Sequence, residues 1–295
     1  MWAKAAFGYH RRMNNASSHP DIAELVADLT RARLQAQPLP WPAAVPAEVP
    51  LAYATALAVR AARSGEGDSP VGYKIGFTNR TIWPRYGVYG PIWGTVWDRG
   101  LVQVDASAPN EGLLSLKGLC EPRIEPEIVF GLREAPPPEC TAAQLVAAID
   151  WVAHGYEIVH THFPGWKFSA AQAVADGGLH GRLLVGHTVA LPAATAPEAL
   201  MDALAGLRLK LYADGVLKDQ GLGANVLDGP VQALLHFVRE LRATPGAPAL
   251  RAGDLITTGT LTDAWPVQAG QRWHTEIEAD GPLAGALKGL ALRFE

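Results

Sequence analysis

The sequence predicts an α+β fold in which many strands accompany a few helices. Segments of β-branched and aromatic residues, separated by turn signals, follow one another over most of the chain after residue 70. Helical spacing is confined to the first seventy residues and a few later insertions. The regular strand–helix alternation of a doubly wound fold is missing. We therefore expect a helical region over residues 1–70 and a β-rich domain over residues 71–295.

Two helices are expected in the N-terminal region. Apolar residues recur at helical spacing over residues 21–35, where Asp21 suits the helix start, and an alanine-rich helix is expected over residues 52–63. The link between them contains five prolines (Pro38, Pro40, Pro42, Pro46 and Pro50) and cannot be helical throughout. The first dozen residues lack the apolar core of a secretory signal, and Met13 is a second candidate for the start of the protein.

The remaining elements follow from local patterns. Thr141 is expected to cap a helix that ends near residue 149, and residues 230–241 form an amphipathic helix. Asp214-Gly215 is a hairpin signal. Glycine-rich and aromatic stretches at residues 87–95 and 161–181 are expected to be loops that line a pocket. Strands are expected over residues 72–78, 121–130, 156–160, 207–212, 255–260, 272–278 and 290–294.

Composition excludes several classes of function. The formal net charge of -4, with Lys and Arg scattered along the chain, gives no basic face for nucleic acid. No apolar run approaches the length of a transmembrane helix. P-loop, GxSxG, HExxH and dinucleotide-binding motifs are missing. The two cysteines, Cys120 and Cys140, form neither a disulfide scaffold nor a CxxC pair, so reduced thiols in a cytoplasmic protein are expected.

The most informative stretch is the acidic strand over residues 121–130. Successive side chains of a strand point to opposite faces, so Glu125 and Glu127 project to the same side. Glu157 lies in a second strand-like segment between apolar neighbours. Three carboxylates without a thiolate form an oxygen-rich set that suits Mg²⁺ or Mn²⁺. The alternative from spacing alone is a solvated edge strand with exposed acids.

Lysines and histidines supply further candidates. Lys74 lies in a strand bordered by glycines, where burial would demand an anionic partner, and Lys167 poses the same question between two aromatic residues. His160 and His162 are two residues apart near Glu157 and could contact substrate, transfer protons or bind zinc. The other histidines are assigned to surface or core.

Several segments, in order, resemble the 2-keto-4-pentenoate hydratase / 4-oxalocrotonate decarboxylase family of the fumarylacetoacetate hydrolase superfamily. The resemblance runs from about residue 71 to the C-terminus, and the helical N-terminal region also fits. Each motif alone is weak, but their common order is specific. The segments are residues 72–76, 94–95, 122–128, 157–159, 174–176, 252–259 and 267–271.

The resemblance implies a mixed-sheet roll of the fumarylacetoacetate hydrolase C-terminal type and a homo-oligomer. It implies Mg²⁺ or Mn²⁺ held by Glu125, Glu127 and Glu157. It places Lys74 in the active site, and Thr258 and the adjoining Gly259 at the anionic end of a small 2-oxo acid. We add Asp176 and His162 as catalytic candidates, and Ile92, His160 and Lys167 as substrate contacts.

Three departures from the family pattern affect the reaction. Ile92 occupies a position where hydratases of the family tend to carry an acid, which favours the decarboxylase branch. His160-Thr161-His162 stands where the family usually has Asp-Ser-Arg, so the usual arginine is missing. Gly177 follows Asp176 where the family commonly has Asn.

We therefore expect a divalent-metal-dependent lyase of aromatic-compound catabolism that hydrates a 2-oxo-enoate or 2-hydroxydienoate. The first alternative is a decarboxylase of a vinylogous 2-oxo diacid, of the 4-oxalocrotonate type. The second is an acylpyruvate-type C–C hydrolase. An inactive binding or scaffold relative, from another class, is disfavoured by the complete set of three acids and Lys74.

Overall fold

Two β-sheets and seven α-helices form the part of the chain that the computed structural model describes, residues 22–39 and 48–295. The helices are α1 (Ile22–Gln35), α2 (Val49–Gly65), α3 (Trp83–Tyr86), α4 (Ala142–Ala148), α5 (Ala170–Ala175), α6 (Pro197–Ala205) and α7 (Pro230–Ala243). The strands are β1 (Pro70–Gly76), β2 (Ile92–Trp97), β3 (Leu101–Gln103), β4 (Glu111–Leu114), β5 (Arg123–Leu132), β6 (Ile149–Val159), β7 (His180–Ala190), β8 (Arg208–Ala213), β9 (Val216–Leu222), β10 (Leu255–Thr260), β11 (Trp265–Pro266), β12 (Arg272–Glu278) and β13 (Ala291–Phe294).

The larger sheet is mixed and brings together strands that are distant in sequence. Its order is β2-β1-β10-β5-β6-β7-β3, with β11 paired to β5. The pairs β1–β10 and β3–β7 are parallel, and the other pairs are antiparallel. The second sheet has the order β4-β13-β12-β8-β9. This architecture confirms the predicted β-rich α+β class.

The two faces of the larger sheet differ in what they bury. On β5, Ile124 and Ile128 point into the main hydrophobic core, as alternation predicts. Val129 belongs to a separate cluster of six buried residues on the opposite face, which also includes Ala153 and Leu183. Glu125 and Glu127 share the alternation of Val129, so the acidic side chains project on the side of this smaller cluster.

Thr275 of β12 connects the two sheets. Its hydroxyl lies 2.8 Å from His154 Nε2 and 3.3 Å from the Tyr156 hydroxyl, both on β6. The Tyr156 hydroxyl also donates to the Leu290 carbonyl at 2.9 Å. These buried polar groups therefore satisfy one another between the layers. The strand β6 that carries Glu157 is thereby fixed against the second sheet.

Most predicted elements are confirmed. The helices expected over residues 21–35 and 52–63 are α1 and α2, and α2 packs against α5. Thr141 caps α4 through a reciprocal pair of hydrogen bonds with Gln144. Asp214 and Gly215 both have positive φ and form the turn between β8 and β9. Cys120 and Cys140 are free thiols.

Two loop predictions were wrong in part. Residues 92–95 belong to β2, whose six residues are all buried, because β1 pairs along it on one side. Residues 161–181 include α5, which begins with a capping box between Ser169 and Gln172. The strand predicted at residues 156–160 is longer, since β6 starts directly after α4.

Some expectations fall outside the described residues: Met1, Met13, Asp21 and most of the proline-rich link. The predicted boundary at residue 70 coincides with the first residue of β1, but the division into two regions stays a prediction. Within residues 22–39 and 48–295, no helix has both the length and the apolar character needed to cross a membrane.

Candidate active site

The three predicted acids lie together on β5 and β6. Glu125 is directly opposite Glu157 in the antiparallel register, and Glu127 follows two residues later on the same face. One carboxylate oxygen from each lies within 4.8 Å of the other two. Glu127 and Glu157 are completely buried, whereas Glu125 is partly exposed. The predicted face of the acidic strand is thus confirmed.

Strand β10 holds Glu127 from one side. Glu127 Oε2 accepts hydrogen bonds from the Thr257 hydroxyl and, at 2.8 Å, from the Gly259 N–H. The register of β10 on β5 shifts between Thr257 and Thr260, and Gly259 has a φ of +101°. A Cβ atom at Gly259 would lie 2.0 Å from Thr78 Oγ1, so glycine is required at this bulge.

Lys74 and His180 hold Glu157. His180 Nδ1 lies 2.8 Å from Glu157 Oε1 and must donate, because a carboxylate only accepts. Lys74 Nζ lies 3.2 Å from Glu157 Oε2 in an ion pair whose geometry falls short of a hydrogen bond. The ammonium instead donates to the Gly178 carbonyl at 2.8 Å. Lys74 is therefore fixed on the edge of the acidic cluster.

Burial and mutual repulsion shift the pKa values of the three acids. Burial raises the pKa of Glu125 to about 7, and burial together with Glu157 and Glu125 raises the pKa of Glu127 well above its usual range. For Glu157, burial also acts upward, but Lys74 and His180 outweigh it and the pKa is lowered. The charge of Lys74 thus compensates mainly one of three carboxylates.

Lys74 itself is held in the charged form. Burial acts to lower its pKa, but the carboxylates of Glu157, Glu125 and Glu127 outweigh burial and raise it. Burial lowers the pKa of His180 despite its hydrogen bond to Glu157, so this imidazole is neutral. One ammonium therefore faces three acids, and the cluster lacks positive charge.

A divalent cation fits this cluster. The donors are all carboxylate oxygens, which hard cations such as Mg²⁺ and Mn²⁺ prefer. Glu127 Oε1 is buried and has no hydrogen-bond partner among the described residues, and Glu157 Oε2 has only the Lys74 ammonium at 3.2 Å. A buried carboxylate oxygen such as Glu127 Oε1 is costly unless a cation or donor approaches it. Glu125, Glu127 and Glu157 could therefore hold a divalent cation.

The side chains of Ile92 and Lys74 both lie close to Gly76, which has no side chain of its own. Gly76 pairs with Ile92 across β1 and β2, and a Cβ atom there would lie 3.2 Å from Ile92 Cγ1 and 3.5 Å from Lys74 Nζ. Glycine at this position thus lets the Ile92 side chain approach the ammonium. Ile92 is 3% exposed. The surroundings of Lys74 on this side are apolar.

A row of aromatic rings runs between the ends of β1 and β5. Phe77 stacks on Tyr86 at 4.8 Å between centroids, and Tyr86 stacks on Phe168 at 5.8 Å. Trp166 lies 5.8 Å from Phe168, and the Arg123 guanidinium lies 4.0 Å above the Trp166 ring. Phe77 follows Lys74 by three residues and Arg123 precedes Glu125 by two, so both ends of the aromatic row are close in sequence to the acidic cluster.

His160, His162 and Asp176 lie along a separate cavity of about 260 Å³. His180 also lines it and therefore connects it with Glu157. Asp176 Oδ2 accepts the His162 backbone N–H at 2.9 Å, and Oδ1 lies 2.6 Å from His162 Nδ1. Asp176 and His162, which were both predicted to be catalytic, are thus hydrogen-bonded to each other. Five arginines line what we call the arginine-lined cavity: Arg33, Arg60, Arg63, Arg99 and Arg182.

Two further predicted residues have no described contact with the carboxylates. The Thr258 hydroxyl donates to the Ile128 carbonyl at 2.9 Å, and Lys167 is exposed. Sequence reasoning missed Thr257 and His180 as partners of the acids. The glycine within β10 was a signal for the bulge that positions Thr257 and Gly259. The only signal for His180 was its place four residues after Asp176.

Comparison with known proteins gives concordant matches. The family model for the fumarylacetoacetate (FAA) hydrolase C-terminal domain matches residues 106–288. A 2-hydroxyhexa-2,4-dienoate hydratase from Comamonas testosteroni is 31% identical over 78% of this chain and 83% of its own. A 4-oxalocrotonate decarboxylase from a Pseudomonas species is 30% identical over 77% of this chain and 82% of its own.

The fold is also found among solved structures. The 4-oxalocrotonate decarboxylase of Pseudomonas putida G7, complexed with magnesium and adipate, superimposes with a TM-score of 0.78. The match covers 93% of this chain and 97% of that one at 23% identity. At this identity the similarity establishes the fold alone, and it confirms the predicted architecture.

Glu127→Gln is expected to weaken divalent-cation binding by about a hundredfold or more. Such a loss is larger than the one that usually follows when a residue that only supports a metal ligand is changed. The Gln carbonyl can keep the hydrogen bonds from Thr257 and Gly259, which leaves its amide N–H groups facing the other carboxylates. Mn²⁺ titration calorimetry measures the loss. The matched control is Glu134→Gln, an exposed acid just beyond β5. Equal affinities for the two variants would contradict the assignment of Glu127 as a ligand.

Proposed function

Since this chain belongs to the fumarylacetoacetate hydrolase C-terminal family, we propose that it is a divalent-metal-dependent lyase that hydrates a 2-oxo-enoate or 2-hydroxydienoate in aromatic-compound catabolism. The observation that carries the proposal is the buried cluster of three carboxylates with Lys74 at its edge. The 31% identical relative named as a hydratase supports the reaction class.

Glu125, Glu127 and Glu157 would hold Mg²⁺ or Mn²⁺. A cation bound there supplies a Lewis acid that stabilises negative charge as it develops on the 2-oxo group of the substrate. The neutral His180 and the β10 bulge orient two of the carboxylates toward their common centre. The smaller hydrophobic cluster lies on the same face of the sheet as the three carboxylates, and its apolar side chains limit the access of water to them from that side.

Lys74 is protonated, so it can act as a general acid or pair with an anion. Its raised pKa keeps the ammonium charged, so it can pair with a substrate carboxylate or give a proton to carbon. Hydration adds a hydroxyl to one carbon of the double bond and a proton to the other, and Lys74 is our candidate for the proton donor. The aromatic row offers flat apolar walls for the unsaturated chain of the substrate.

The second candidate is decarboxylation of a vinylogous 2-oxo diacid, which Ile92 favours. Loss of CO₂ breaks a C–C bond and forms a C–H bond, and it needs no activated water. An apolar side chain beside the ammonium is compatible with this reaction, whereas a hydratase benefits from an acid or base near the water. Relatives of similar identity carry both names.

Purified protein stripped with a chelator is expected to be inactive and to recover on addition of Mg²⁺ or Mn²⁺. The assay compares 2-hydroxyhexa-2,4-dienoate with 4-oxalocrotonate and follows both absorbance loss and CO₂ release. Absorbance loss without CO₂ supports the hydratase, and CO₂ release from the diacid supports the second candidate. Activity that survives exhaustive chelation, or pyruvate as a product of C–C hydrolysis, would contradict the proposal.

Lys74→Met is expected to lower kcat by about 10²- to 10⁴-fold, the usual effect of a proton-transfer group. Mn²⁺ affinity should be unchanged or tighter, because a positive charge 3.2 Å from Glu157 is removed. Steady-state kinetics and calorimetry measure the two effects. Lys218→Met, on exposed β9, is the control. A Lys74 variant with normal kcat would exclude the lysine from the reaction.

We also propose that the chain assembles into a homo-oligomer, as its family resemblance implies. The edge strand β9 of the second sheet exposes Val216, Leu217 and Leu222, which suits contact with another copy. Light scattering is expected to give a multiple of the 31.4 kDa chain mass. A monomeric mass at micromolar concentration would refute the assembly.

A further inference from the structure

A second cluster of metal-ligating side chains lies beside the arginine-lined cavity. Cys120, in the segment before β5, and His160 and His162, just after β6, each offer a ligand atom within 4.8 Å of the other two. All three are buried, with exposed fractions of 6%, 7% and 3%. The Thr161 N–H donates to the Cys120 carbonyl at 3.2 Å, which fixes the two segments against each other.

His162 presents a free nitrogen to this cluster. Its Nδ1–H donates to Asp176, so Nε2 is the ring nitrogen that is left to bind a metal. His162 Nε2 is buried and finds no hydrogen-bond partner among the described residues. At zinc sites, the ring nitrogen of a histidine ligand that does not bind the metal usually donates to a carboxylate. The carboxylate fixes the tautomer and the ring orientation.

His160 and Cys120 are also available as ligands. The Cys120 backbone N–H donates to His160 Nδ1 over 3.3 Å, so Nδ1 carries the lone pair of the neutral ring, and a metal bound to this nitrogen would replace that weak hydrogen bond. The neutral imidazole is the form that binds metals. Cysteine binds metals as the thiolate, so a metal at Cys120 would displace the thiol proton to solvent.

The donor set decides between metals. One thiolate sulfur and two imidazole nitrogens suit Zn²⁺ and similar borderline ions, whereas Mg²⁺ and Mn²⁺ prefer the oxygens of the acidic cluster. Three protein ligands leave a fourth tetrahedral position for water or a small anion. His160 and His162 both line the arginine-lined cavity, from which such a ligand can enter.

We propose that Cys120, His160 and His162 form a second metal site, which binds Zn²⁺ independently of the divalent cation at the three carboxylates. Asp176 is a positioning residue for this site, because its carboxylate holds the His162 ring in place. The proposal does not rest on the proposed function, because it uses none of the acids or Lys74.

Cobalt substitution tests the site directly. Stripped full-length protein is titrated with Co²⁺ in the presence of excess Mg²⁺, and thiolate-to-cobalt charge-transfer absorption in the near ultraviolet is followed. One equivalent of Co²⁺ per chain should give this band, and Zn²⁺ should abolish it by displacement. Carboxylate ligands give no thiolate band, so the acidic cluster cannot produce the signal.

Variants locate the ligands. Cys120→Ser should remove the band and lower Zn²⁺ affinity at least about tenfold, and His162→Gln should weaken affinity similarly. Cys140→Ser is the matched control, because Cys140 is the other of the two cysteines and lies outside the cluster. Cys140→Ser and Glu127→Gln should both keep the band. Circular dichroism of each variant verifies folding, and if Cys120→Ser does not fold, the wild type and His162→Gln decide.

Two results would overturn the proposal. The first is folded wild-type protein that gives no thiolate-to-cobalt band. The second is a band that survives in Cys120→Ser, that forms in His162→Gln with the Co²⁺ affinity of the wild type, or that disappears in Cys140→Ser. Loss of Mn²⁺ binding in Glu127→Gln with the cobalt band retained would show that the two sites are separate. The failure of one proposal is thereby distinguishable from the failure of the other.

Discussion

The constraint on which the site depends is the clustering of three carboxylates, two of them completely buried, on one face of a sheet. Each ionised acid in such a place is costly unless a cation or a donor compensates it. Lys74, His180, Thr257 and the Gly259 N–H supply the compensation that the chain itself offers. Among the described residues, Glu127 Oε1 is still left without a partner, and Glu157 Oε2 has only the Lys74 ammonium. The same deficit that would destabilise an ordinary core makes the cluster a strong receptor for a divalent cation.

The strand that carries two of the acids was predictable because its signal is local. A period of two places Glu125 and Glu127 on one face, whatever the rest of the fold does. The partners of these acids come from elsewhere in the chain. Thr257 reaches Glu127 because β10 inserts between β1 and β5, and no local pattern encodes that insertion. His180 looked like any histidine at the start of an apolar strand, and only the β6–β7 pairing places it at Glu157.

The sequence predicted a loop at residues 87–95, part of which is a strand, because glycine occurs both in turns and where two segments pack closely. Residues 87–95 have the composition of a turn, yet Ile92 and the residues after it are a buried strand. Glycines there serve close approach, since a Cβ atom at Gly94 would lie 2.0 Å from the Gly177 carbonyl. Composition alone cannot separate a glycine that turns the chain from one that lets two segments touch. The distinction matters here because Ile92 lies beside Lys74.

His162 differs from the residue that the family resemblance leads one to expect, and the difference has a chemical consequence. The family to which the resemblance points usually carries arginine at this place, and a guanidinium binds a carboxylate through two parallel N–H donors. His162 also gives Asp176 two hydrogen bonds, one from its backbone N–H and one from Nδ1. Arginine has no lone pair to offer, whereas the neutral imidazole retains one on Nε2. That nitrogen is buried beside Cys120 and His160, so the residue that holds Asp176 in this chain can also serve the metal site that we propose.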